Sequence, residues 1–518
     1  MKRICVFFII VLCAFSNACA DPPSANSQID GQISRDTSWH DSNDFNSNTE
    51  SEGDTGSSTH NDVDSAVEPD TGLVGDTDTG IAEETDSQIK IDTAIDSATD
   101  SGGTTDTGTD FNTVTDSETA TDPQIDSDND SDTGLPPDTE VNFLLVVEQS
   151  ILALVSESLN IYLEDIRPQG YYGKIVSYDG GDATVLKHLI QSEYHGENIV
   201  GAFLIGDLPS AWYRQFAFGT WEEFPCDIFL ADMDDDWRQT ANEIYISRPV
   251  DFQVEIFTSR IMGSASEINA YFTKNHLYRT QGSLVAQTAF NFIEEEWEAY
   301  VTDEHFNLDA LYDTVEICMD STCTTRANYI DTLTGTGAEF LQQRIHALPC
   351  ELLIDGGGPD SSVTCDDVAS NNFKTSFVDL WNCSGCRFTQ RNLGMTYLMN
   401  TDYGLATIGS TKTGALLYEQ YFFSYLAAGR TWGEAGKEYF NTYGYCDDEW
   451  HLGIVTMGDP LLTVKGNTTS RISRLSNKPA LTPLEISELY DKFAIVAQQT
   501  NLMGFSHYKA NNPQHFER

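Results

Sequence analysis

The sequence predicts an α/β protein, with a mainly parallel sheet, helices on both faces and a long acidic linker in front. Three observations carry this. Short apolar runs alternate with helix-spaced segments from Val141 to about Val464. The connections between them are short, as in a parallel sheet covered on both faces. The preceding segment has no apolar periodicity. A chain of 518 residues holds one large domain or two to three ordinary ones.

Taken in order, residues 1–20 read as an export signal. Lys2 and Arg3 precede an apolar run from Ile4 to Phe15, and small residues follow. About a dozen apolar residues are too few to span a bilayer, so a cleaved signal is expected rather than an anchor helix. Two processing routes stay open. Ala18-Cys19-Ala20 is an Ala-x-Ala pattern that would release a chain starting at Asp21. Cys19 also resembles the lipidated cysteine of bacterial lipoproteins, although Ser16 stands where that group usually has Leu. Lipidation would place the protein at the cell surface or outer membrane; release would make it periplasmic or secreted. The lipid would be its only contact with a membrane.

Residues 21–140 are Asp, Ser, Thr and Gly in irregular repetition, as in Asp76-Thr-Asp-Thr-Gly80. They carry 31 of the 81 acids but only Arg35 and Lys90 as bases. Such a segment buries too little apolar surface to offset its ordering entropy, and like charges extend it. The expectation is a disordered spacer. Calcium loops are the alternative, but the Gly and closing Glu of an EF-hand are absent. A net charge of −53 argues against nucleic acid as a partner, since phosphate binding needs clustered Lys and Arg.

Residues 141–465 carry the alternating pattern. Strands are expected at Phe143–Val147, Lys174–Tyr178, Gly201–Gly206, Val254–Ile261, Cys350–Ile354, Ser376–Asn382 and Gly404–Ile408. Helices are expected at Ile151–Ile166, Ala183–Tyr194, from Ser266 with Glu267 in its first turn, at Leu416–Ala428 and at Trp432–Tyr439. The domain could divide into two subdomains near Arg279. The aromatic stretch Tyr418–Tyr425 has helix spacing and reads as core. The tail, 466–518, contains one helix candidate at Leu484–Gln499, with Thr482-Pro483 as its start.

Several segments resemble the gingipain-type cysteine peptidases. They are Gly201-Ala-Phe-Leu-Ile-Gly-Asp-Leu-Pro209, Cys226 to Trp237, Glu255-Ile-Phe-Thr-Ser-Arg-Ile261, Gly409-Ser-Thr-Lys-Thr-Gly414 and Met457-Gly-Asp-Pro-Leu461. The resemblance covers about 320 residues; each motif is weak alone, and their order and spacing carry it. It implies a caspase-like sheet whose catalytic His and Cys follow two neighbouring strands, a peptide or protein substrate, and no required cofactor.

By that resemblance the nucleophile is Cys383, in Val378-Asp-Leu-Trp-Asn-Cys383-Ser-Gly-Cys-Arg-Phe388, with Ser384 and Gly385 as oxyanion N–H donors. The same residues also read as a Cys-x-x-Cys pair. Eight cysteines follow Cys19, so complete pairing is open, with Cys383–Cys386 and Cys318–Cys323 as local disulfides. Those four could instead bind zinc, without a standard spacing. The family's histidine falls at Gly356 or Gly357, in Glu351-Leu-Leu-Ile-Asp-Gly-Gly-Gly358. His346 would then lie before that strand, at its opposite end. His451 and His305 belong to other elements, and Asp355 would oppose thiolate formation. Two functions are therefore expected: a peptidase, or an inactive pseudo-peptidase serving as a binding or structural module. Asp232, Asp234 and Asp236, ahead of Trp237, could hold calcium.

Overall fold

The structure, a computed structural model, describes residues 141–234, 237–240, 244–247, 253–300, 305–444, 448–466, 481–499 and 502–516. The expected signal with Cys19 and the expected linker 21–140 lie outside the described residues, as do Asp236 and Cys446.

Among the described residues, ten strands form one sheet. They are β1 (Val141–Glu148), β2 (Tyr171–Tyr178), β3 (Gly201–Ile205), β4 (Phe257–Ile261), β5 (Ala289–Ile293), β6 (Val315–Cys318), β7 (Ala338–Arg344), β8 (Thr375–Trp381), β9 (Ala406–Ser410) and β10 (Ile454–Gly458). Their order is β6-β5-β7-β8-β9-β10-β4-β3-β1-β2. All neighbours are parallel except β9 and β10. Hence β5 to β9 run opposite to β1 to β4 and β10, with β10 closing the seam against β4. The chain passes between the halves just after Arg279, yet one sheet spans both.

Helices cover both faces. Those that bear on the site and the tail are α1 (Gln149–Ile166), α2 (Ala183–Glu197), α3 (Ala265–Gln281), α4 (Arg326–Thr334), α5 (Glu419–Ala427), α6 (Trp432–Thr442), α7 (Pro483–Gln499) and α8 (Phe505–Asn511). On β1, Phe143, Leu145 and Val147 enter one core with α1, α3 and α4; Leu144 and Val146 enter another with α2. Burial on both faces explains why the strand reads as a continuous apolar run. In α1, Val155, Leu159, Tyr162 and Ile166 recur at helical spacing and are all buried. A capping box starts α3: the Ser264 hydroxyl accepts from Glu267 N–H, and the Glu267 carboxylate accepts from Ser264 N–H.

One expected strand is corrected. Cys350–Ile354 is not in the large sheet. Only Glu351–Leu352 is extended, between Ala347–Leu348 and Val363–Thr364 in a small antiparallel sheet. The strand beside β8 is instead β7, whose Glu339, Gln342 and Gln343 are fully buried. Their polarity hides it from a search for apolar runs. Asn291, Gln342 and Asp379 form a level row across β5, β7 and β8, all fully buried.

The tail folds back onto the domain. Thr482 and Glu485 cap α7 reciprocally, with Pro483 at its first position. Its Leu489, Phe493 and Val496 join the core that contains α5 and α6. The second tail helix, α8, packs Phe505 and Tyr508 on Trp212. No helix of the described residues is long and apolar enough to cross a membrane.

Candidate functional site

The acidic blocks singled out in the sequence turn out to hold elements together. Asp459 accepts hydrogen bonds from Tyr162 O–H and Asn275 Nδ2–H, and pairs with Arg279, tying α1 and α3 to the end of β10. Arg260, on β4, is fully buried and makes a two-pronged pair with Asp227 at 2.5 and 2.7 Å. Its guanidinium also stacks on Phe388 at 3.9 Å, fastening the far end of the loop that starts at Cys383. Arg387 fastens the same loop by donating to the carbonyls of Thr411, Glu223 and Met503.

Cys383 follows the end of β8 by two residues and is buried among aromatic side chains. Burial pushes its thiol up to about 12; the Gly414 N–H and Lys412 work against this, and Glu222 adds to it. In this state the sulfur is a thiol and not a nucleophilic thiolate. Ser384 has φ 58° and its N–H donates to Lys412 O at 2.8 Å, which removes it as an oxyanion donor here. At Gly385 a Cβ would stand 2.2 Å from Asn382 Oδ1, so any other residue there would have to displace the Asn382 side chain.

The expected Cys383–Cys386 disulfide is not formed. Both are free thiols, because the loop sends them to opposite faces of the sheet: Cys383 into the core with α5 to α7, Cys386 into the core with α1, α3 and α4. Cys318 is joined to Cys323, and Cys350 to Cys365. With Cys318 and Cys323 bonded to each other, the four-cysteine zinc arrangement is excluded as well.

Gly356 and Gly357 do not stand where a histidine would face Cys383. They lie in the turn that joins the second and third strands of the small sheet, with φ of 75° and 83°. A Cβ at Gly356 would meet nothing within 4 Å, so the obstacle to a side chain there is backbone strain and not space. The turn serves Glu294, whose Oε1 accepts from Asp355 N–H at 2.5 Å. Burial raises the Glu294 carboxyl to about 7, against the Asp355 N–H.

The histidine at that sheet edge is His346, and its expected place is corrected. It follows β7 by two residues, just as Cys383 follows β8, and β7 and β8 are neighbours with Arg344 level with Trp381. His346 Nε2 is 3.1 Å from Glu296 Oε1, while its Nδ1 is buried without a partner. Burial disfavours charge on Glu296, but the His346 bond and the Lys492 charge prevail and hold its carboxyl below the usual range. Glu296 sits in the 3-10 turn Glu295–Tyr300 that follows β5. Sequence reasoning sets His346 aside and misses Glu296. The parallel emerges only with the strand bounds: each of Ala338–Arg344 and Thr375–Trp381 is a seven-residue strand, with His346 or Cys383 two positions beyond.

Of the other two histidines weighed in the sequence, His451 is engaged inside the core and His305 lies in a separate element. His451 Nε2 accepts from Leu417 N–H and Nδ1 donates to Gly444 O, and burial lowers its pKa to about 3. His305 opens the turn His305–Ala310.

Aromatic rings link the two chemical residues. The His346 ring lies 4.7 Å from Trp297, and Trp297 lies 5.3 Å from Trp381. Phe493 of α7 sits on this group, 5.2 Å from Trp381 and 5.9 Å from His346.

For the calcium expectation, Asp232, Asp234 and Glu255 bring oxygens within 4.8 Å of one another. Glu255 was not among the expected ligands. Asp232 Oδ2 already accepts from Trp237 Nε1 at 2.9 Å, and calcium bound here would need backbone carbonyls or waters beside the three carboxylates to reach its six to eight oxygens.

No family model and no curated protein matches the chain. Among solved structures it is similar to the ABC domain in complex with L-Trp from Streptococcus pneumonia, at 11% identity over 52% of this chain and 79% of that one. The TM-score is 0.14, too low to carry an argument.

Proposed function

We propose that this chain is a cysteine peptidase of the gingipain type, described here in a closed state, with Cys383 as nucleophile and His346 as its base. The observation that carries the reading is the level placement of the two residues beyond neighbouring parallel strands. The C-terminal ends of such strands are where α/β folds commonly build their sites.

In the proposed reaction His346 Nδ1 takes the Cys383 thiol proton, and the thiolate attacks the scissile carbonyl carbon of a peptide. The C–N bond breaks, the imidazolium returns its proton to the leaving amine, and a thioester remains on Cys383. Water, deprotonated by the same imidazole, then releases the acid and restores the thiol. Glu296 would hold the ring by its Nε2–H and stabilise the imidazolium. Opening is required first, since the buried thiol stays protonated and Ser384 N–H is engaged. The two disulfides support the export reading, because cytosolic thiols are normally kept reduced. A diacylglyceryl-modified Cys19, found by mass spectrometry of the mature chain, would establish the anchor.

The inactive binding module is the second reading, favoured by the full burial of Cys383. A peptide library offered to the wild type, Cys383→Ala and His346→Ala separates the two. Cleavage lost in both variants supports the peptidase. Absence of cleavage by the unmodified wild type, after its tail has been removed by limited proteolysis and a separate aliquot has shown Cys383 open to alkylation, favours the module.

A further inference from the structure

We propose that Phe493 of α7 occupies the subsite for an aromatic side chain of the substrate, so that the tail is a built-in occupant of the cleft beside Cys383. The inference rests on the Cys383–His346 reading and assigns the side-chain class that this site takes.

Phe493 is 1% exposed, in a box of rings supplied by four separate parts of the chain. Its centroid lies 4.9 Å from Trp450, 5.2 Å from Trp381, 5.6 Å from Trp297 and 5.8 Å from Phe218. Trp381 and Trp450 meet it steeply, at 80° and 69°, the edge-to-face geometry that a third aromatic ring satisfies best. The box is placed where a substrate would lie. Trp381 is two residues before Cys383, and the His346 ring itself is 5.9 Å from Phe493.

The helix carrying Phe493 also engages the base's partner. Lys492 donates to the backbone carbonyl of Glu296 and lies 4.5 Å over Trp297. Thus one turn of α7 covers the histidine, its carboxylate and the aromatic box together. The grip is one-sided. Leu489, Phe493 and Val496 face inward at helical spacing, whereas Leu484 and Ile495 remain 68% and 60% exposed. Release of the helix would be a local opening, one that takes the Tyr490 ring off Phe218 and its hydroxyl off Gly219 N–H while leaving the strand pairing in place. The box it vacates would be lined by Trp297, Trp381, Trp450 and Phe218, and it offers an aromatic side chain edge and face contacts that an aliphatic one cannot repeat.

The test uses the full chain as wild type, Phe493→Ala and Ile495→Ala, with iodoacetamide labelling of Cys383 followed by mass spectrometry. Cys226 and Cys386, both buried thiols, are the internal reference. Phe493→Ala is expected to label Cys383 about tenfold faster or more, with Cys226 and Cys386 unchanged, because only the local opening is altered. Ile495→Ala should behave as wild type. N-acetyl-phenylalaninamide should slow the Phe493→Ala labelling and quench tryptophan fluorescence saturably, whereas N-acetyl-alaninamide should do neither. If all three thiols speed up together in Phe493→Ala, the variant has unfolded, and the milder Phe493→Leu is judged by the same criteria. Unchanged Cys383 labelling in a folded Phe493 variant, or equal protection by both amides, overturns the proposal. Protection by the phenylalanine amide without peptide cleavage would keep the subsite and remove the peptidase. Cleavage without aromatic preference would do the reverse.

Discussion

His346 and Cys383 stand level at one edge of the sheet, each two residues past the end of a parallel strand, with Arg344 and Trp381 paired in register just before them. Residues 37 positions apart in the chain become neighbours in topology because β7 and β8 pair directly. On the same edge, Glu296 follows β5, the strand on the other side of β7. Three consecutive strand ends thus deliver a carboxylate, an imidazole and a thiol.

This order predicts graded losses of activity. On a peptide that the opened wild type cleaves, Cys383→Ala should abolish turnover. His346→Ala should lower kcat by about 10²–10⁴-fold, the usual worth of a general base. Glu296→Gln should cost less, because the amide can still hold the ring while losing the charge that stabilises the imidazolium. Steady-state kinetics of the three variants checks the order; a Glu296→Gln loss equal to that of His346→Ala would contradict it.

Asp379 predicts an unusual pH dependence of stability. Burial raises its carboxyl from an ordinary 3.8 to about 7, with Arg344 and the Gln342 amide opposing. The folded state therefore keeps a proton that the unfolded chain has released, so stability should fall as pH rises from about 4 to 7 and level off above. The slope from this group alone is up to about 1.4 kcal/mol per pH unit. Asp379→Asn should remove that decline and melt higher than wild type at pH 8. Thermal melts of both chains from pH 4 to 8 decide it.

The two disulfides should contribute unequally. Cys350–Cys365 closes a separation of 15 residues, and loop-closure entropy gives it about 3 kcal/mol. Cys318–Cys323 closes a separation of only 5 and constrains the unfolded chain less. Denaturant titration should show the Cys350→Ser/Cys365→Ser chain losing more stability than Cys318→Ser/Cys323→Ser.

The Arg260–Asp227 pair should be intolerant of single truncation. Both side chains are within 3% of full burial, so Asp227→Ala leaves an uncompensated guanidinium inside the protein and should cost about 3–5 kcal/mol. Replacing both, as Asp227→Leu with Arg260→Met, should recover much of that loss in the same denaturation experiment.

How far the candidate site was legible depended on the residues concerned. Cys383 was marked by the resemblance, whose nucleophile follows an apolar strand in a short glycine-containing turn, as Cys383 follows β8. His346 was not, because β7 spells Ala-Glu-Phe-Leu-Gln-Gln-Arg and disguises a fully buried strand as a polar segment. On the proposed reading, that disguise is why the sequence puts the histidine's position at the glycine turn. Asp355, Gly356 and Gly357 instead form a left-handed turn serving the buried Glu294.

The α/β class, the first helices and strands, and the helix in the tail were set by local pattern. Each depends on residues within a few positions, and apolar spacing, capping boxes and glycine turns act at that range. The tertiary structure alone decided which strands are neighbours, that Cys383 and Cys386 part to opposite faces, and that Phe493 closes over the strand ends. Those outcomes come from burial between segments distant in sequence. Parallel pairing carries no hairpin to announce it, and a buried Gln or Asp looks like surface until its neighbours are known.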